Sequence, residues 1–105
     1  MERVVVTGLA SGPFVAHRAV SFGERLFGLR SRQCDGALLI DTNSVHTFGL
    51  DPIGVIGIGR DSQVVRAKLL SSNRIVWVRG ATRILEVPEG MTLPPVGATI
   101  EITHG

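Results

Sequence analysis

The chain has 105 residues, a formal charge of +2, 44% hydrophobic residues and 19% charged residues. That composition excludes disorder and fits one globular domain spanning residues 1–105. A domain of this length buries roughly 65% of its unfolded surface, enough for a core without staples. The single cysteine, Cys34, excludes an internal disulfide and a cysteine-based zinc site.

The opening stretch MERVVVTGLASGPF lacks a long apolar core of the kind a signal peptide needs. No run approaches the ~18 apolar residues of a spanning helix, so no membrane partner and a cytoplasmic chain are expected. Lys68 is the only lysine, and the arginines are dispersed from Arg3 to Arg83. With Trp77 as the only tryptophan and no tyrosine, a base-stacking platform is poorly supplied, and nucleic acid is not expected as a partner.

In chain order, the β-branched RVVVT (3–7) and FVAHRAV (14–20) read as strands around the GLASGP loop. SFGE (21–24) has capping-box spacing, with Ser21 as N-cap and Glu24 three residues on. The spacing predicts a short α-helix over 21–27 that Gly28 ends. GALLI (36–40), SVHTF (44–48) and IGVIGI (53–58) are strands, and GRDS (59–62) is a turn. QVVRAKLL (63–70) alternates, with Val65, Ala67 and Leu69 on one face and Arg66 and Lys68 on the other. RIVWV (74–78), TRILEV (82–87) and TIEIT (99–103) complete the set.

About eight short strands separated by turns every ten residues or so indicate a mainly β fold, a small sandwich or barrel with one short helix. The core is expected from Leu38–Ile40, Val55–Ile58, Ile75–Val78 and Ile100–Ile102.

Motifs of high chemical specificity are lacking. GVIGIG (54–59) reverses the dinucleotide fingerprint and precedes a turn and strand rather than a helix. Its glycines fit a bulge, a tight bend or a close approach. His17, His46 and His104 show no metal-ligand spacing, so neither metal nor cofactor is expected. Cys34 has no glycine-rich elbow that would mark a nucleophile.

His46 shares a strand face with Ser44 and Phe48, while Val45 and Thr47 face the other way. Asp41, Asn43 and Asp51 flank an apolar wall there, a composition suited to the mouth of a small pocket. The candidate ligand-binding residues are His46, Thr47, Ser44, Arg25, Glu86 and Asp51. Arg25 is expected to be held by Glu86, with Asp41 as the second choice.

Three elements carry a family resemblance. They are Glu24-Arg25-x-x-Gly28-Leu29, the stretch SVHTFG (44–49) and Leu85-Glu86-x-Pro88-x-Gly90. In order and spacing the chain resembles the DUF192 family, a prokaryotic family of unknown function, over residues 14–102. The resemblance implies a compact, jelly-roll-like β domain with one short helix and no established activity. The chain departs from the family's usual methionine at Leu50 and from its aspartates at Gly54 and Ala98.

Two functions follow as expectations. One is a non-catalytic accessory domain that binds a small molecule or a protein partner. The other is an enzyme using His46 with Arg25 or Glu86.

Overall fold

The computed structural model describes residues 2–10, 12–19, 37–47 and 52–104. The expected helix over 21–27, with Ser21 and Gly28, lies outside the described residues, as do Arg25, Cys34 and Asp51.

Nine strands are described: β1 (Glu2–Thr7), β2 (Phe14–Ala19), β3 (Leu38–Ile40), β4 (Ser44–His46), β5 (Ile53–Ile58), β6 (Val64–Leu70), β7 (Ile75–Trp77), β8 (Arg83–Pro88) and β9 (Glu101–His104). No helix occurs among the described residues. The apolar, β-branched runs read from the sequence are the strands, trimmed at their ends where turn residues take over.

Seven strands form one sheet in the order β6-β5-β8-β3-β2-β1-β9. All of its pairings are antiparallel except β2 with β3. That parallel pair is a feature an all-antiparallel jelly roll lacks. The sheet curls into a half-barrel, and main-chain bonds stitch its two edge regions together. Val64 N–H donates to Ala98 O, Gly97 N–H to Val64 O and Ile100 N–H to Ser62 O, each at 2.8 Å. Gln63 and Thr99 pair between them.

Curling gives the sheet an inside. Val4, Val6, Ala16, Leu39, Ile56, Ile58, Val64, Leu85, Val87 and Ile100 form one buried cluster. These residues come from strands at both edges and the centre, so they meet only on the concave face. The convex face carries a second cluster, in which Val55, Ile84, Ile53 and Leu70 pack against Val45, Val76 and Val78. The last three belong to, or directly follow, the separate β4–β7 ribbon.

Glycines set the spacing between these layers. A Cβ on Gly57 would stand 2.5 Å from Val78 Cγ1, so the missing side chain lets the ribbon's end lie on the sheet. The close-approach reading of GVIGIG applies here, and so does the bulge reading, since the β5–β6 register shifts between Gly57 and Ile58.

Two expectations need correction. Val65, Ala67 and Leu69 do not share one face, because the β5–β6 register shifts between Gly57 and Ile58. The bulge sends Val65 to the convex cluster, while Ala67 and Leu69 keep a common face, Ala67 packed on the concave core and Leu69 51% exposed. The expected core stretch Ile75–Val78 is only half core. Val76 and Val78 are buried, whereas Ile75 and Trp77 are exposed, because a ribbon lying on a sheet has one inward side.

The central strand is β8, hydrogen-bonded to β3 and β5, with Ile84, Leu85 and Val87 fully buried. Leu85→Ala is expected to cost about 2–5 kcal/mol in urea unfolding. Gly57→Ala, which overpacks against Val78, is expected to cost about 1–3 kcal/mol. An unchanged midpoint for either substitution contradicts this packing.

Candidate functional site

The sequence-predicted residues divide between places. Ser44 and His46 sit on the outer side of the β4–β7 ribbon, opposite Trp77 and Ile75. Both are half-buried, and the His46 Nδ1 atom is covered.

Thr47 faces the other way and is fully buried. Its hydroxyl donates to Ser71 O at 2.5 Å and accepts from Arg74 N–H at 3.0 Å. Its own N–H donates to Arg74 O at 2.8 Å. Thr47 therefore holds the turn between β6 and β7, and its hydroxyl is already engaged.

Glu86 lies within the main sheet, opposite Val55 on one side and Leu38 on the other, and is fully buried. Strand alternation sets it on the convex face with Leu38 and His17. A carboxyl so placed is costly unless paired, and Glu86 is not without a partner. Arg25, its expected partner, and Asp51 lie outside the described residues.

The structure thus brings Ser44 and His46 together, turns Thr47 away from them, and places Glu86 in a different element. Gly54, where the family resemblance implies an acid, points into packed core. A Cβ there would stand 2.7 Å from Val87 Cγ2 and 3.0 Å from Leu93 Cδ2. An orienting aspartate has no room at that position.

A second polar group, missed in the sequence reading, gathers at one end of the concave face. On four strands the inward alternation runs past the apolar core into a charged or ionisable residue. Ala16 is followed at two residues by Arg18, Leu39 by Asp41 and Ile102 by His104, and Leu85 is preceded at two residues by Arg83. The registers Arg18↔Leu39, Leu39↔Leu85 and Val4↔His104 place these strands side by side.

Together they line a cleft of about 120 Å³ whose apolar walls are Val4, Leu39 and Ile102 and whose polar walls are Arg18, Asp41, Arg83, Thr103 and His104. Arg18 and Asp41 form an ion pair with side chains 37% and 45% exposed. A pair this exposed is worth about 0–1 kcal/mol, so it exchanges partners at low cost. Arg83 makes no ion pair among the described residues. Among the described residues lining the cleft, two arginines stand with one aspartate, and Arg18 has a further partner besides Asp41.

The signal for this group was present in the sequence as an apolar residue two positions from a charged one, four times over. It is weak on each strand and informative only once the strands are known to be neighbours. Among the described residues, no group of three or more His, Cys, Asp or Glu side chains is placed to hold a metal ion. Among the described residues there is no helix long and apolar enough to cross a membrane.

Comparison with known proteins gives a fold. No protein-family model matches the chain, and no curated protein matches it. A protein of unknown function from Novosphingobium aromaticivorans is similar in structure, with a TM-score of 0.64 and 22% identity over 94% of this chain and 83% of that one. A candidate transcription regulator from Sinorhizobium meliloti is similar to the same degree, with a TM-score of 0.64 and 23% identity over 95% of this chain and 92% of that one. At these identities the likeness is one of fold, and fold alone does not carry function.

Thr47→Val keeps the shape of the side chain but leaves Ser71 O and Arg74 N–H without the hydroxyl. It is expected to cost about 1–3 kcal/mol in chemical unfolding. Ser44→Ala, on the outer side of the ribbon, is expected to stay within about 0.5 kcal/mol of the parent. Equal effects at the two positions contradict the assignment of Thr47 to the turn.

Proposed function

We propose that the chain is a non-catalytic domain that binds a small molecule at the charged end of its half-barrel. One observation carries the reading: side chains from β1, β2, β3, β8 and β9, with Asp41 just beyond β3, converge on one cleft that has apolar walls and a polar rim. That mixture is typical of ligand sites, and barrel mouths commonly host them.

The enzyme reading, with His46 acting beside Arg25 or Glu86, has less behind it. His46 shares its side of the ribbon with Ile75 and Trp77, while Glu86 is sealed within the sheet. A catalytic pair must come within hydrogen-bond reach of one reacting atom.

Membership of the DUF192 family is part of the same proposal. Its support is the motif order Glu24-Arg25, Ser44–Gly49 and Leu85–Gly90, together with a β fold. The packing of the β4–β7 ribbon on the convex face supports the two-layer, sandwich-like character that the resemblance implies. A cytoplasmic setting and a small-molecule or protein partner go with this reading. The Sinorhizobium meliloti neighbour raises the other option, a part in regulating transcription. Dispersed arginines and a single exposed tryptophan favour the small molecule.

A thermal-shift screen tests the proposal with short carboxylic acids, phosphate, sugars, nucleotides and divalent metals. At least one small molecule is expected to raise Tm saturably, and a ligand at a hundred times its Kd adds about 2.7 kcal/mol. No shift with any of them, alongside salt-sensitive retention on DNA, overturns it.

A further inference from the structure

The half-barrel is closed along only part of one edge. β6 is the last strand of the seven-stranded sheet, and residues 97–100 reach it only at Gln63 and Val64. Past Val64, residues 65–70 make no main-chain hydrogen bond outside the β5 ladder among the described residues. Their outer side is a bare strand edge, on the opposite flank of the sheet from the β9 side of the cleft. We infer that this edge takes an added strand from a protein partner: an extended segment in which acidic and apolar residues alternate.

The registers fix what each face of the edge offers. Lys68 stands opposite Val55 and Arg66 opposite Gly57. Val55 belongs to the convex cluster, and a Cβ on Gly57 would meet Val78 there. Both cations therefore lie on the convex side. Neither side chain makes an ion pair or hydrogen bond among the described residues. Asp61, at the head of the strand, is engaged otherwise, its Oδ1 accepting from Gln63 N–H at 3.1 Å.

The other face is apolar. Leu69 stands opposite Gly54, where a Cβ would meet Val87 of the concave core. Leu69 and Ala67 thus share the concave side, and Leu69 is 51% exposed. One short edge carries two unpaired cations on one face and an uncovered leucine on the other.

A strand laid beside β6 sets its own side chains alternately on the same two faces. Acidic residues then meet Arg66 and Lys68, and the apolar residues between them cover Leu69. Cross-strand pairs of opposite charge and of apolar groups favour such a pairing, while the main-chain ladder supplies the common attraction.

Charge also decides against a second copy of this chain. Antiparallel pairing of β6 with itself, faces matched, sets Arg66 and Lys68 against the same cations, and like charges directly opposite repel. Lysine on an edge strand is an ordinary guard against self-pairing. The same guard attracts an acidic strand. Nucleic acid shares the negative charge but offers neither an amide ladder nor an apolar side chain for Leu69.

The experiment measures the fluorescence anisotropy of short labelled peptides on the full chain, and NMR amide shifts of the chain with the same peptides. A peptide of alternating glutamate and valine is expected to bind saturably, with a Kd below about 1 mM. Its lysine–valine counterpart is expected not to bind, and added salt is expected to weaken the acidic peptide. Shifts are expected at residues 65–70 and not at Thr103 or His104. Arg66→Glu together with Lys68→Glu is expected to weaken binding about tenfold or more, with β8 signals unmoved to show an intact fold. N-methylation of alternate peptide amides, which removes the ladder and leaves the protein untouched, is expected to abolish binding.

No binding of the glutamate–valine peptide overturns the inference, as does equal binding of its N-methylated form or a response centred on the cleft. Single-stranded DNA displacing the peptide from residues 65–70 replaces the partner with nucleic acid. A dimer in sedimentation whose amides at 65–70 are protected without peptide replaces it with a second copy.

Discussion

The structure depends on a short seam of main-chain hydrogen bonds. Residues 97–100, just before β9, bond to residues 62–64 at the start of β6, through Val64, Gly97 and Ile100 amides at 2.8 Å. Without that seam the seven strands would form an open, twisted sheet with two bare edges, which proteins ordinarily avoid. With it, the natural twist of the strands is drawn into a curl. A concave face then exists, and Val4, Leu39, Leu85 and Ile100, far apart in the chain, share one core.

Once the curl is set, the period of two along each strand does the rest. Inward positions are apolar through the middle of the half-barrel and turn charged at one end, where Arg18, Asp41, Arg83 and His104 rim the cleft. Outward positions such as Val55 and Ile84 are covered by the β4–β7 ribbon. Thr47 secures that ribbon through the turn at Ser71 and Arg74, and Gly57 lets Val78 lie close on the sheet. The core and the candidate site are consecutive layers of the same alternation, so the rigidity of one positions the other.

Much of the fold was legible in the sequence, for a local reason. Runs such as IGVIGI and RILEV are β-branched, apolar and bounded by turn residues, and each is a strand. Pairing was not legible, because it depends on residues distant in the chain. Nothing local marks β8 as the central strand or predicts that β2 and β3 run parallel. The bulge at Gly57 and Ile58 reversed the face of Val65, since one extra residue flips every side chain beyond it. For the site, attention went to His46 and its neighbours because they are adjacent in sequence. The charged rim is dispersed over residues 18 to 104 and becomes a group only through strand neighbours.

The seam is tested most directly by native-state hydrogen exchange at the amides of Val64, Gly97 and Ile100. All three lie outside or at the edge of regular strands, where unsupported amides exchange through local opening at little free-energy cost. If the seam closes the half-barrel, they exchange with the same opening free energy as the amides of β5 and β8, through global unfolding alone. Exchange of all three at loop rates, while β5 and β8 stay protected, contradicts the closed curl and the cleft built on it.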